Sequence, residues 1–265
     1  MNDEASEGRP GLAQDFGSLQ GVLISFSSGN GGTGVSYLAT QFSLWLSRLG
    51  KKTLLVDANW SLGSSHFFFG IEPDDHFAQY LEGKRTLRSC VKETKTGVSV
   101  LAGCPGLGSL SGLSHEEHLS VRGDLEPISR EFDCIILDIP SGLGGPGAEL
   151  REISTFAVIV ATPDPLSLTS NYALLKNIVL GKTTSRVGVV VNRCTTPNEG
   201  RSASQILAGV SDRFLNFTPV GLGFLPFDLQ LLRRPSGTGS ISKVLEDLFS
   251  RILSVIETLP QELPQ

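Results

Sequence analysis

The sequence predicts a doubly wound, mostly parallel α/β sheet with helices on both faces. Three observations carry this expectation. Seven apolar runs of strand length recur along the chain, segments with helical spacing stand between them, and a glycine-rich loop joins the first run to the first helical segment. The runs are VLISF (22–26), TLLVD (53–57), VSVLA (98–102), CIILD (134–138), FAVIVAT (156–162), VGVVV (187–191) and VGLGF (220–224). Each is rich in Val, Ile or Leu, as strands buried on both faces of a parallel sheet must be.

Helical spacing covers 36–49, 116–131, 166–180 and 201–215. A last segment, 240–259, sets Ile241, Val244, Leu245, Leu248, Phe249, Ile252, Leu253 and Ile256 on one stripe. Its polar face mixes Lys243 and Arg251 with Glu246, Asp247 and Glu257. A helix lying on a membrane usually has a basic polar face, so the stripe favours packing on the core or on a partner over lipid. Membrane association stays open as the less favoured reading.

With 265 residues, 40% of them hydrophobic, the chain can fill one large core. Residues 1–19 are expected to form a flexible tail, 20–259 the folded domain, and 260–265 a short C-terminal tail. Lys and Arg total 22 against 27 for Asp and Glu, a formal charge of -5, which argues against a nucleic-acid surface. Cys90, Cys104, Cys134 and Cys194 form no CxxC pair and read as reduced thiols of a cytoplasmic protein. No run has the length of a membrane span, and the N-terminal acids Asp3, Glu4 and Glu7 are unlike a signal peptide. The expected location is the cytoplasm, with a peripheral site at the inner membrane as the variant.

The glycine loop is Gly29-Asn30-Gly31-Gly32-Thr33-Gly34-Val35-Ser36. Against the phosphate-loop pattern GxxxxGK[ST] it matches at Gly29, Gly34 and Ser36 and breaks at Val35, where lysine should stand. Glycines let backbone N–H groups curl around phosphate oxygens, the helix N-terminus adds positive charge, and a Ser36 hydroxyl can ligate Mg²⁺. Lysine neutralises the β and γ phosphates, and valine cannot. The same residues satisfy GxGxxG (Gly29, Gly31, Gly34), with Asp57 near the place of a ribose-binding acid, so an NAD-binding oxidoreductase is a second reading. A tight turn without a ligand is a third.

Downstream motifs favour the phosphate loop. From about Gln20 to Ile256 the chain resembles the MinD/ParA group of P-loop NTPases, and within it the FlhG (FleN) family of flagellar number regulators. The family's KGGxGK[ST] aligns with residues 30–36, both lysines being absent here. Its DADLGLAN segment is similar to Asp57-Ala58-Asn59-Trp60-Ser61-Leu62-Gly63-Ser64, with Asn59 in place of the second acid. Its DxPxG switch is similar to Asp138-Ile139-Pro140-Ser141-Gly142. Residues 162–176, 190–207 and 214–235 resemble the FlhG family in particular; Ser170-Asn171 stands where that family usually has an acid.

The resemblance implies a MinD-like fold and a vestigial site. Residues 29–36 would be its phosphate loop, Ser36, Asp57 and Asp138 its magnesium or switch residues, and Asn192, Pro226 and Asp228 its base-binding residues. In the family the lysine at position 30 crosses a nucleotide-sandwich dimer and the one at 35 acts within the subunit. Without both, no catalytic residue is expected, nor a nucleotide-driven dimer. ATP or ADP with Mg²⁺ would bind weakly or not at all. The expected product is a scaffold or spatial regulator acting on protein partners such as flagellar or other cell-pole machinery. The alternative is an active ATPase using a nonstandard cation, Arg193 or one from a partner.

Other residues read as structural or undecided. His115-Glu116-Glu117-His118 lacks the spacing of a zinc motif and reads as a solvated helix start. Asp133 reads as structural, Arg233-Arg234 as a solvated turn or a contact for an acidic partner or lipid, and Phe67-Phe68-Phe69 equally as packing or a docking surface.

Overall fold

The computed structural model describes residues 21–60, 63–72, 74–103, 113–144, 146–181, 186–228 and 241–258. The expected tails, Cys104 and Arg233-Arg234 lie outside them. The strands are β1 (Val22–Ser27), β2 (Thr53–Asp57), β3 (Lys92–Glu93), β4 (Val98–Leu101), β5 (Cys134–Asp138), β6 (Phe156–Ala161), β7 (Arg186–Cys194) and β8 (Val220–Pro226). The helices are α1 (Val35–Arg48), α2 (Ser65–Phe69), α3 (His76–Leu81), α4 (His115–Ser129), α5 (Pro146–Glu152), α6 (Pro165–Leu180), α7 (Pro197–Leu215) and α8 (Lys243–Glu257). All seven expected strands and five expected helical segments are present. The short α2, α3, α5 and the two-residue β3 are additions.

One sheet holds all eight strands in the order β3-β4-β2-β5-β1-β6-β7-β8, parallel except for the β3–β4 pair. Strand β5 lies between β1 and β2, pairing Ile24 with Ile136 on one side and Leu55 with Ile136 on the other. In a dinucleotide-binding sheet the second strand would lie directly beside the first. The order seen here is therefore not that of the NAD-binding alternative.

Both faces of the sheet are covered, and alternation along β5 shows how. Cys134 and Ile136 join the core with α1 and α8, whereas Ile135 and Leu137 join the core with α3 and α4. On the other half, Ala157, Ile159, Val187 and Val189 pack with α6 and α7. Residues of β5 are thus apolar at every position up to the terminal Asp138 because neither side meets water. Cys90, Cys134 and Cys194 are free and buried, as expected.

Helix α8 starts at its cap Ser242, whose hydroxyl accepts from the Leu245 N–H. Its apolar stripe is buried on the sheet except for Val244, which the sequence places on the stripe and the structure leaves exposed: the Phe249 ring meets Phe42 edge-on at 5.2 Å between centroids and lies 5.9 Å from Trp45. Of the two readings favoured over lipid, packing on the core or on a partner, the structure displays the first. No helix among the described residues is long and apolar enough to cross a membrane.

Phe249 is 0% exposed, so Phe249→Ala should cost about 3–5 kcal/mol in urea unfolding. Val244→Ala, on the exposed side of the same helix, should stay within about 0.5 kcal/mol. Equal effects would mean that α8 does not share the core.

Candidate functional site

The C-terminal ends of the parallel strands gather the residues that the sequence singles out. After β1, residues 28–34 turn sharply into α1. Gly32 (φ 77°) and Gly34 (φ 98°) occupy left-handed conformations that a side chain would strain. A Cβ at Gly31 or Gly32 would meet nothing within 4 Å, so the outer rim of the loop opens to free space. A Cβ at Gly29 would lie 2.2 Å from the Ser170 carbonyl oxygen, because α6 packs directly on the start of the loop.

The helical ladder begins with the Leu38 N–H donating to the Gly34 carbonyl at 3.0 Å, so the N–H groups of residues 35–37 precede it. Together with the helix dipole they make the open rim receptive to an anion. The side chains contribute no charge. Val35 is 7% exposed and belongs to the core that contains Ile24, Phe26 and Leu38. Among the described residues the Asn30 side-chain amide donates to the neighbouring Gly31 carbonyl, at 3.4 Å. The buried Thr33 Oγ1 and Asn30 Oδ1 find no partner among the described residues.

Next to the loop stands a carboxyl pair. Asp57 and Asp138 end adjacent strands and are register partners. Asp57 accepts from the Ser65 N–H at 2.9 Å, the Ser65 hydroxyl at 2.7 Å and the Asn59 N–H at 3.1 Å. Gly63 packs so closely on this carboxylate that a Cβ would lie 2.5 Å from Asp57 Oδ2. Asp138 accepts a hydrogen bond from the Ser36 hydroxyl. Burial, followed by the charge of Asp57, pushes the Asp138 carboxyl up to about 8 against the opposing Ser36 hydrogen bond. Burial also raises Asp57, and its Ser65 and Asn59 hydrogen bonds work against that rise. Three oxygen donors at the rim of the loop, two of them carboxyls, suit a hard divalent cation.

The remaining sequence-selected residues lie along the same edge. Asn192, near the end of β7, donates from Nδ2 to the Thr33 carbonyl at 2.8 Å, and its Oδ1 accepts from the Arg193 N–H at 2.8 Å. Its amide thus touches the loop itself. Pro226 ends β8 and pairs with Cys194, and Asp228 is exposed just beyond. Since β8 is three strands from β1, roughly 14 Å away, these two residues can meet only the far end of a ligand seated on the loop.

Asn171 was noted in the sequence only as one of the pair Ser170-Asn171 standing where an acid is usual in the family that the chain resembles. The structure places it, fully buried, on α6, where its Oδ1 accepts from the Gly29 N–H at 2.9 Å. The switch segment after β5 also touches the loop: the Gly142 N–H donates to the Ser28 carbonyl at 2.9 Å. Neither contact has a local sequence signal, since each joins residues more than 100 positions apart.

The His115 segment is a helix start: Ser114 and Glu117 form a reciprocal cap, and His115 Nδ1 meets Glu149 at 2.6 Å. Among the described residues no group of three or more His, Cys, Asp or Glu is arranged to hold a metal. Asp133 accepts from the Lys52 N–H at 2.7 Å, a structural link between β2 and β5. In the aromatic run Phe67 is 73% exposed, whereas Phe69 packs on the core.

No protein-family model matches the chain. The chain is 28% identical over 216 residues to the antiactivator FleN of Pseudomonas aeruginosa, covering 81% of this chain and 77% of that protein. To the flagellum site-determining protein YlxH of Helicobacter pylori it is 25% identical over 255 residues, covering 92% and 85%. Among solved structures, the septum site-determining protein MinD of Pyrococcus horikoshii, complexed with Mg-ADP, superposes with a TM-score of 0.68 at 20% identity, covering 89% of this chain and 98% of that one.

The buried Asp138 sets a pH dependence. A carboxyl near 3.8 in the unfolded chain and held at about 8 in the fold contributes stability that is full below pH 4 and is lost as pH rises through 8. Asp138→Asn keeps an acceptor for Ser36 without the charge. In EDTA it should match the original protein near pH 3.5, draw ahead as pH rises past 4, and exceed it at pH 8 by on the order of a few kcal/mol in urea unfolding. Parallel stability curves for the two proteins would contradict the burial of a high-pKa carboxyl.

Proposed function

The chain belongs to the MinD/ParA family of P-loop NTPases, and from that premise we propose that it is an FlhG-like spatial regulator of flagellar placement or number, whose phosphate loop no longer supports ATP hydrolysis. The observation that carries the second half is the neutrality of the loop. Where the family's motif has lysines, Asn30 ends at the Gly31 carbonyl and Val35 is part of the apolar core. Phosphoryl transfer is catalysed chiefly by placing positive charge around the transferring group, and this loop offers only backbone N–H groups and a helix end. The regulatory half is supported by the names of the relatives, an antiactivator and a flagellum site-determining protein.

Residues that would hold a nucleotide survive in part. The N–H groups of the loop fit a phosphate, Ser36, Asp57 and Asp138 fit Mg²⁺, and Pro226 and Asp228 remain as candidates for the base end, whereas the Asn192 amide, expected to read the base, is spent on the Thr33 carbonyl of the loop and on the Arg193 N–H. When bound, Mg²⁺ would neutralise phosphate charge that no lysine of the loop neutralises. The protein side of the site only binds and orients. A raised Asp138 carboxyl weakens it further at neutral pH, because a cation must displace that proton. Binding is therefore weak, and nothing at position 30 is long enough to bridge to the phosphates of a second subunit. Function then rests on surfaces presented to protein partners.

One observation favours a second reading. Arg193 is an exposed non-glycine residue at φ 60°, directly after the asparagine that holds Thr33. A guanidinium kept in such a backbone position can act as a substitute cation. Steady-state phosphate release separates the readings. The purified protein should show none above background. Steady release that disappears in both Ser36→Ala and Arg193→Ala would overturn the proposal and assign an ATPase that uses Arg193.

A further inference from the structure

We propose that helix α6 fixes the glycine loop and the switch segment in one arrangement without nucleotide, with Asn171 as the positioning residue for the loop. The inference rests on reading residues 29–36 as the former nucleotide loop and adds how that site is regulated: by a built-in lock in place of a ligand.

Asn171 uses both ends of its carboxamide. Oδ1 accepts from the Gly29 N–H at 2.9 Å and from the Ser28 hydroxyl at 3.4 Å. Nδ2 donates to the Ser167 carbonyl at 2.9 Å and to Ser167 Oγ at 3.1 Å. Ser167 is itself fastened, its Oγ accepting from the Thr162 N–H at 2.9 Å and its N–H donating to Asp164 at 2.9 Å. A continuous chain of hydrogen bonds therefore runs from the loop to the end of β6. Each partner on the Ser167 side has an oxygen to offer, so a carboxylate at 171 would keep the loop contacts and face the Ser167 carbonyl with a second acceptor. This gives the asparagine at this position a physical reason.

The same helix holds the switch segment. Asn177 Nδ2 donates to the Leu143 carbonyl at 3.2 Å, and Arg151 of α5 donates to the same oxygen at 3.4 Å. One residue earlier, the Gly142 N–H donates to the Ser28 carbonyl. The contacts close a ring: loop to switch at Ser28–Gly142, switch to α6 at Leu143–Asn177, and α6 back to the loop at Asn171–Gly29. At Gly29 the α6 backbone leaves no space even for a methyl group, so the loop cannot shift toward the helix. A nucleotide switch requires two segments that rearrange when a ligand arrives. Here both are already tied to one rigid element, so the surface around exposed Leu143 is presented whether or not nucleotide is bound.

Residue-resolved amide hydrogen exchange on the full chain tests the lock. Without nucleotide, Asn171→Ala should speed exchange at Gly29 and Gly142 by about fivefold relative to sheet amides such as Ile136 and Val158. Excess Mg-ATP should leave both amides of the original protein within about twofold of their ligand-free rates. Should Asn171→Ala loosen the whole sheet, Asn177→Ala, at an exposed position, reads the ring from its other side and should speed Gly142 at least about twofold. Unchanged exchange at Gly29 in Asn171→Ala, unchanged exchange at Gly142 in Asn177→Ala, or a tenfold or larger slowing of Gly142 by Mg-ATP would each overturn the lock. ATPase activity in the purified protein would overturn the functional reading and leave the exchange results standing.

Discussion

The pairing of β5 between β1 and β2 brings everything else at this site together. It puts Asp57 and Asp138 side by side at the strand ends, with Ser36 of α1 close enough to donate to the second of them. It also places the segment leaving β5 against the start of the glycine loop, where the Gly142 N–H reaches the Ser28 carbonyl. Had β2 paired directly with β1, as in a dinucleotide-binding sheet, the two carboxyls would not be register partners. The apolar alternation of β5, with Ile135 and Leu137 to one side and Cys134 and Ile136 to the other, holds that arrangement by burying both faces of the strand.

On that frame the electrostatics are one-sided. The frame retains acids that would hold a cation, while the loop has none of the basic side chains that would hold a polyphosphate. Two buried acids side by side hold protons more tightly, as the Asp138 carboxyl, raised by burial and by the charge of Asp57, does. Neutral contacts hold the loop: Asn171 to Gly29 and Asn192 to Thr33 grip it at two ends through carboxamides. Such contacts position a backbone without stabilising a developing negative charge. The regulator proposed above, presenting a fixed surface, would need the first property and not the second.

Much of the fold was legible because its strands are continuous apolar runs that only burial on both faces explains. Strand β3, with Lys92 and Glu93, was not, since two residues carry no periodicity and pair only because β4 is at hand. The stripe of α8 was readable as a stripe, but whether core, partner or lipid covered it depended on Phe42 and Trp45, more than 190 residues away. Of the site, the glycine loop, Ser36, Asp57 and Asp138 stood out by motif. The fate of Val35 did not: a sequence tells that valine replaces lysine, and only packing tells that its side chain belongs to the core. The part played by Asn171 was hidden for the same reason, because a hydrogen bond across 142 positions leaves no spacing to recognise.

The central claim is that the loop has kept its shape and lost its affinity for a triphosphate. Calorimetric titration of the purified chain with Mg-ATP, with light scattering on the same samples, tests it most directly. Each lysine missing from a phosphate site removes a charge-assisted contact, so the account predicts a dissociation constant of roughly 100 µM or weaker and an unchanged molecular mass. Submicromolar binding accompanied by a doubling of mass would contradict it, because a neutral loop could then neither hold the phosphates tightly nor join two subunits through them.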